Sequence, residues 1–351
     1  MSLVTEFETE AHGAEAASEQ SIEGRSQWQL TWRRLRRDKV AMISIVVIVL
    51  IALLAILAPV FASLTHHPPD VTFPNTGTTS AGLPVAPGTN GFLLGTDSVG
   101  RDLLVRILYG ARISLFVGVV TTVIAALAGV TVGMVSGYFG GIVDAVLARF
   151  IDAVLAFPYV VLALALAAVI GPSLPVIIAV ISFFSWAAIS RIVRGQTLSL
   201  KEREYVEAAR SIGAGPWRIM FIDILPNLLA PVLVLCTLAI PAAIVFEATL
   251  SFLGLGIQEP TASWGNILSA AENYYQEAWW FVVFPAVALL ITTLAFNLLG
   301  DGIRDAMDPR TERIFAAGRK QRRGRGRSST DTSAAPAPAA PGATASGQVA
   351  G

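Results

Sequence analysis

Long apolar runs alternate with short polar segments along this chain. Val40–Ala62 carries no charge and just exceeds the roughly 20 residues a helix needs to cross a bilayer. It lies too far from the start, and its run is too long, for an ordinary cleaved signal peptide. Five further runs follow: Ile113–Gly137, Ala153–Ile170, Pro175–Ser190, Leu228–Ser251 and Trp279–Leu299. The pattern predicts an all-α integral membrane protein with six transmembrane helices, the fourth of them short.

Composition agrees. The 351 residues are 54% hydrophobic and 14% charged, against roughly 25% charged in soluble domains, and the mean hydropathy is +0.63. With the N-terminus inside, Ser63–Arg112, the turn Gly171–Leu174 and Phe252–Ala278 face out. Of the 25 Lys and Arg, only Arg101, Arg106 and Arg112 fall in those segments. The excess of basic residues inside places both termini in the cytoplasm.

Five regions are expected: an acidic disordered tail (1–31), a basic anchor and first helix (32–62), an extracytoplasmic segment with an amphipathic helix (63–112), a five-helix core (113–310) containing a cytosolic loop (191–226), and a basic, Ala/Pro-rich disordered tail (311–351). The RKQRRGRGR run could touch anionic lipid or RNA, but a solvated tail is the simpler reading and no nucleic-acid partner is expected. Cys236, the single cysteine, reads as a buried inert thiol.

Trp32 and the cluster WRRLRR suit a headgroup interface. His66 and His67 have no carboxylate or thiol at ligand spacing, so no metal is expected there. In LLGTDSVGRDLLVRILYGARISL, Asp97 or Ser98 can cap a short helix whose apolar face is Leu103, Leu104, Ile107 and Leu108, with Arg101, Asp102 and Arg106 elsewhere on the turn. It is expected to lie on the outer surface before the second span. Gly129, Gly133 and Gly137 form a small-xxx-small ladder for close helix packing. Arg149 and Asp152 should neutralise each other at i,i+3. Pro158 falls mid-way in the third span, and Pro231 and Pro241 should bend the fifth. Glu247, near the outer end of the fifth span, reads as interfacial, with the wall of a wet pathway as the alternative.

The stretch EYVEAARSIGAGPWRIMFIDILPN is unlike the rest. Tyr205, Ala208, Ala209 and Ile212 fall on one helix face, while Arg203, Glu207 and Arg210 pair opposite charges at i+4 and i+3. Gly213-Ala214-Gly215-Pro216 must end that helix. A second short helix, Trp217–Leu225, should stop at Pro226. Two readings fit: a bent surface that docks into a partner's cleft, or a connecting loop packed on its own bundle.

This stretch resembles the EAA motif of ABC importer permeases through Glu207, Ala208, Ala209, Gly213, Leu225 and Pro226, with Asp223 where an isoleucine is usual. WRRLRRDKVAMISIVVIVLIALLAILAP, LLGTDSVGRDLLVRILYGARISL, LSFLGLGIQEPTASWGNIL and LLGDGIRDAMDPR are similar to the C-type permease of dipeptide/oligopeptide importers, with Val105 replacing a usual serine. The resemblance runs from Trp32 to about Arg310. It implies a type I ABC importer permease bundle in a prokaryotic plasma membrane, paired with a B-type permease, two ATP-binding subunits and an extracytoplasmic substrate-binding protein. It implies ATPase coupling by Glu204, Tyr205, Glu207, Ala208, Ala209, Arg210, Gly213, Leu225 and Pro226. Glu247 and Trp264 are candidates for a pathway or gate.

A phosphate-binding loop needs Gly-Lys followed by Ser or Thr. The lysines Lys39, Lys201 and Lys320 follow Asp38, Leu200 and Arg319, so ATP and Mg are expected on partner subunits and no cofactor on this chain. The resemblance implies import of di- or oligopeptides, with nickel or another small solute as alternatives. A secondary transporter or channel would need ionisable residues deep in the spans, and an enzyme would need a nucleophile–base constellation; neither is visible.

Overall fold

The computed structural model describes residues 27–307; the acidic residues before them and the basic tail from 308 onward lie outside the described residues. Within 27–307 the regular structure is helical. A short helix α1 (Gln27–Leu35) precedes α2 (Lys39–Ile56). Asp38 caps α2 by accepting from the Val40 and Ala41 amides at 2.9 and 3.3 Å, which satisfies donors that a helix start leaves free. The Arg36 guanidinium lies 5.0 Å over the Trp32 ring, a basic–aromatic pair suited to a headgroup layer. Ile43, Val46, Leu50 and Leu53 of α2 are exposed, as expected of a face that meets lipid.

A turn helix α3 (Ala58–Thr65) leads into irregular chain. Then comes α4 (Leu103–Phe139), 37 residues without a break. Its cap is Asp102, whose carboxylate accepts from the Val105 amide at 3.2 Å. The expected separate amphipathic helix is therefore the first turns of the second span itself. Asp97 instead folds the preceding turn, accepting from the Val99 and Arg101 amides at 3.0 and 2.9 Å.

Helices α5 (Gly141–Ala156) and α6 (Tyr159–Ile170) follow, bent by 79° at Phe157–Pro158. Pro158 has no amide hydrogen and pushes Phe157 to extended backbone (ψ 136°), so the ladder cannot pass through. The third span is thus broken, whereas the short fourth run grows into α7 (Leu174–Leu200), 27 residues long. After α8 (Glu204–Ser211), the chain from Pro216 to Phe252 is one helix: a turn at Pro216–Arg218, a π-helical turn at Ile219–Ile224, and α9 (Leu225–Phe252). Pro226 therefore does not end a short helix as expected. The widened π turn sits just before it, where an α-helical carbonyl would meet the proline ring.

Helices α10 (Trp264–Ala271) and α11 (Trp279–Met307) complete the described chain. Among the described residues, five helices are long and apolar enough to cross a membrane, six if the bent pair counts as one span. The centre of the bundle is α4 against α7, with a buried cluster built from Met134, Ile189, Val193, Val206, Met220 and Leu228.

Candidate functional site

The loop between α7 and α9 starts where Arg203 turns extended and α8 begins. Helix α8 ends at Ile212; Gly213 then adopts φ +80°, a backbone angle that favours glycine. The Gly213 amide donates to the Arg210 carbonyl at 2.9 Å and the Ala214 amide to the Ala209 carbonyl at 3.0 Å, closing the helix end. Val206 is fully buried and roots α8 in the same cluster as Ile219, Met220 and Ile224. Ala209 and Leu225 are half-buried. Glu204, Tyr205, Glu207, Ala208, Arg210, Gly213 and Pro226 are exposed.

Exposed apolar surface continues past the bend. Ile212 is 82% exposed and Trp217 59%. The Trp217 ring stacks on Phe221 at 6.2 Å and meets Phe139 of α4 edge-on at 6.3 Å. The Arg210 guanidinium lies 5.5 Å over Tyr138. The result is a ridge of apolar side chains ringed by charges, outside the hydrophobic core. Patches of this kind mark interaction sites.

Polar ties brace the root of the ridge, and residue patterning did not single out those of Asp144 and Lys201. Asp144 of α5 receives the Arg194 guanidinium through both oxygens, with Nη2 at 2.7 Å, and the Ser136 hydroxyl donates to it as well. Lys201 donates to the Gly137 carbonyl at 2.9 Å. Asp152 pairs with Arg191 of α7 at 2.5 Å rather than with Arg149 as expected. The partner across the bundle supplies a hydrogen bond that the helical neighbour does not.

Gly129, Gly133 and Gly137 are buried against α7. A Cβ on them would lie 2.8 Å from the Trp186 carbonyl oxygen, 2.5 Å from that of Ser190 and 2.9 Å from that of Arg194. Backbone meets backbone along this seam, and no side chain fits between.

The end of the bundle opposite the ridge is held by buried charge. Asp97 accepts from Arg101 Nε at 2.6 Å, and Arg101 Nη2 donates to Glu259 at 2.7 Å. Arg106 lies 3.3 Å from both Asp97 and Glu259 and donates to the Pro69 carbonyl at 3.3 Å. Arg101 and Arg106, expected at the surface, are instead buried beneath the loops at this end, because carboxylates from two distant segments converge on them. Burial pushes the Arg101 guanidinium pKa down, but Glu259 and Asp97 more than reverse this and leave it raised.

Glu247 is corrected in the same way. It is 0% exposed, not interfacial, and accepts from the Ser114 and Ser251 hydroxyls, each at 2.8 Å. Trp264 is buried too, its indole donating to the Ile107 carbonyl at 3.1 Å. Neither side chain lines open space here. His67 hydrogen-bonds Asp102 at 2.8 Å and stacks on Phe92, while His66 ends α3 in left-handed backbone.

These features define a polytopic helical membrane protein with a glycine-packed centre, a charge-locked cap at one end of the bundle and an exposed helical ridge at the other. Residues 129–313 match the family model described as the binding-protein-dependent transport system inner membrane component, and residues 26–79 match that of the N-terminal TM domain of oligopeptide transport permease C. The chain belongs to this family of inner-membrane transport components. It is 42% identical to the di/tripeptide transport system permease protein of Pseudomonas aeruginosa over 62% of this chain and 72% of that one. It is 40% identical to the oligopeptide transport system permease protein of Haemophilus influenzae over 85% of this chain and 93% of that one. Among solved structures, a chain of the MetNI methionine ABC transporter in inward-facing conformations aligns with 19% identity and a TM-score of 0.48, over 58% of this chain and 96% of that one.

Proposed function

We propose that this chain is a non-catalytic transmembrane subunit of an ATP-driven importer of di- and oligopeptides. A second, B-type permease completes the pathway, two ATP-binding subunits sit below the pair with one of them docked at this chain's ridge, and an extracytoplasmic protein delivers the cargo. Both termini lie in the cytoplasm, and ATP and Mg stay on the partner subunits. The observation that carries this reading is the ridge itself. Tyr205, Ala208, Ile212 and Trp217 leave apolar surface exposed while Val206 fixes their helix to the core, so the ridge is rigid and unsatisfied at once. The relatives are di/tripeptide and oligopeptide transport permeases, which supports a peptide cargo.

The cycle is mechanical. Closure of the paired ATPases displaces α8. Val206 carries that displacement to the turn at Ile219–Ile224 and so to α9, whereas the Lys201–Gly137 and Arg194–Asp144 ties carry it to α4 and α5. A partner that contacts the ridge differently in two states biases the bundle between inward- and outward-open forms by that difference alone.

The test is gentle detergent purification of the tagged chain from its native membrane, with every co-purifying polypeptide identified. A second permease and ATPases bearing a phosphate-binding loop are expected. A chain that elutes alone or as a homo-oligomer, with no ATPase, overturns the reading.

A further inference from the structure

A cleft of about 400 Å³ opens between α6, α9 and α11, lined by Tyr159, Leu238, Pro241, Thr249, Thr293 and Asn297 among others. That volume falls within the ~300–1,000 Å³ usual for small-molecule clefts. Its polarity is out of place in an apolar span. Asn297 lies within the apolar run Trp279–Leu299 of α11, two residues before its end and four before Asp301. It is exposed, and among the described residues its amide has no hydrogen-bond partner. An amide carries two donors and an acceptor, and leaving them bare in hydrocarbon costs several kcal/mol.

The hydroxyls beside it are differently placed. Thr249 donates to the Val245 carbonyl at 2.8 Å and Thr293 to that of Leu289 at 2.9 Å. Their donors are spent within their own helices, and acceptor lone pairs remain for the cleft. Tyr159 is 51% exposed and stands where the broken span resumes, its ring 5.1 Å from Phe246. The cleft also runs lengthwise. Thr249 is three residues from the end of α9, and Pro241 and Leu238 lie progressively farther along it, so the cleft extends from near that end toward the middle of the helix.

We infer that this cleft is a water-filled part of the translocation wall, with the Asn297 amide as its hydrogen-bonding group for the peptide backbone of passing cargo. The inference rests on the importer reading for the identity of the cargo, but not for the presence of water. A peptide amide presents one donor and one acceptor per residue whatever its side chains, so one side-chain amide can serve cargoes of different sequence.

The experiment uses the full chain in its native membranes with Cys236→Ala as background. Single cysteines replace Asn297 and Thr293, and exposed apolar residues Ile291 and Leu127 serve as lipid-facing controls. The probe is a charged, membrane-impermeant methanethiosulfonate reagent, which reacts with the thiolate and therefore needs water. Asn297→Cys and Thr293→Cys should be modified at least tenfold faster than the controls. Modification at the controls' rate at both positions overturns the inference, since lipid or protein would then cover the cleft. Having two test positions guards against failure of one variant to fold. Separately, Asn297→Leu should lower uptake of a labelled alanyl dipeptide at least tenfold at equal membrane-inserted amount, with Asn297→Gln retaining it; full uptake by Asn297→Leu overturns the hydrogen-bonding role. Labelling reads water access whether or not ATPases co-purify, so its failure is distinct from failure of the importer reading.

Discussion

Arg101 and Glu259 meet across 158 positions of sequence, the guanidinium donating to the carboxylate at 2.7 Å. This contact closes the charge-locked cap by joining the turn before α4 to the loop after α9. Burial alone would raise the Glu259 carboxyl, but the hydrogen bond and charge of Arg101 and the charge of Arg106 hold it below its ordinary value of 4.5.

Because that pKa is lower in the folded chain than in the unfolded one, the stability it contributes is present above about pH 4.5 and is lost as pH falls through the folded value. The melting temperature of the purified protein should therefore drop on acidification below pH 4.5. Glu259→Gln should melt lower than the parent at pH 7 and lose part of this acid-dependent drop; an identical pH profile in the two proteins would remove the contact from the account.

Gly133→Leu forces a Cβ to within 2.5 Å of the Ser190 carbonyl oxygen and 2.9 Å of the Val193 Cβ. Neither group can swing aside, so the two helices must separate. Overpacking costs about 1–3 kcal/mol where a core can adjust, and this seam should exceed that. A clear fall in detergent melting temperature and in yield of the assembled complex is expected, and unchanged yield would dispose of the tight seam.

Gly213→Pro imposes φ near −65° where the chain holds +80° and deletes the amide that donates to Arg210. Charge reversal at Glu207 alters only the exposed face of α8. Both should abolish uptake while the amount of membrane-inserted chain stays the same. Normal uptake with either variant would count against coupling through this loop.

Glu247→Leu leaves the Ser114 and Ser251 hydroxyls without their acceptor, and an unsatisfied buried group costs about 1–3 kcal/mol. Glu247→Gln keeps one acceptor oxygen in place. Thermal stability should rank parent, then Gln, then Leu; equal stability of the two variants would show that the carboxylate is not the hub of this contact.

The apolar runs located the helices because hydrocarbon demands continuous hydrophobicity, a requirement strong enough to read from one sequence. The broken third span had its signal in Pro158, but a proline inside an apolar run is compatible with a kink as well as with a break. Arg101 and Arg106 look solvated in a helical wheel because periodicity sees only local neighbours, and their partner Glu259 is more than 150 positions away. In α8, eight residues make barely two turns. Two faces of the wheel carry apolar side chains, and only the surrounding cluster decides that Val206 points in while Tyr205 points out. The charged ties of Asp144 were invisible for the reason that hid Glu259.

Helix α4 spans 37 residues, or about 55 Å at 1.5 Å per residue, nearly twice the ~30 Å of hydrocarbon. One end holds Arg106 within the charge-locked cap; the other holds Gly137 and Tyr138 beneath the ridge. No proline interrupts it. It is thus a pushrod through the bilayer. Spin labels at Leu104 and Phe139 should keep a constant separation throughout a transport cycle while both move relative to α6, so that whatever seats on the charge-locked cap and whatever seats on the ridge act on the two ends of a single stiff part.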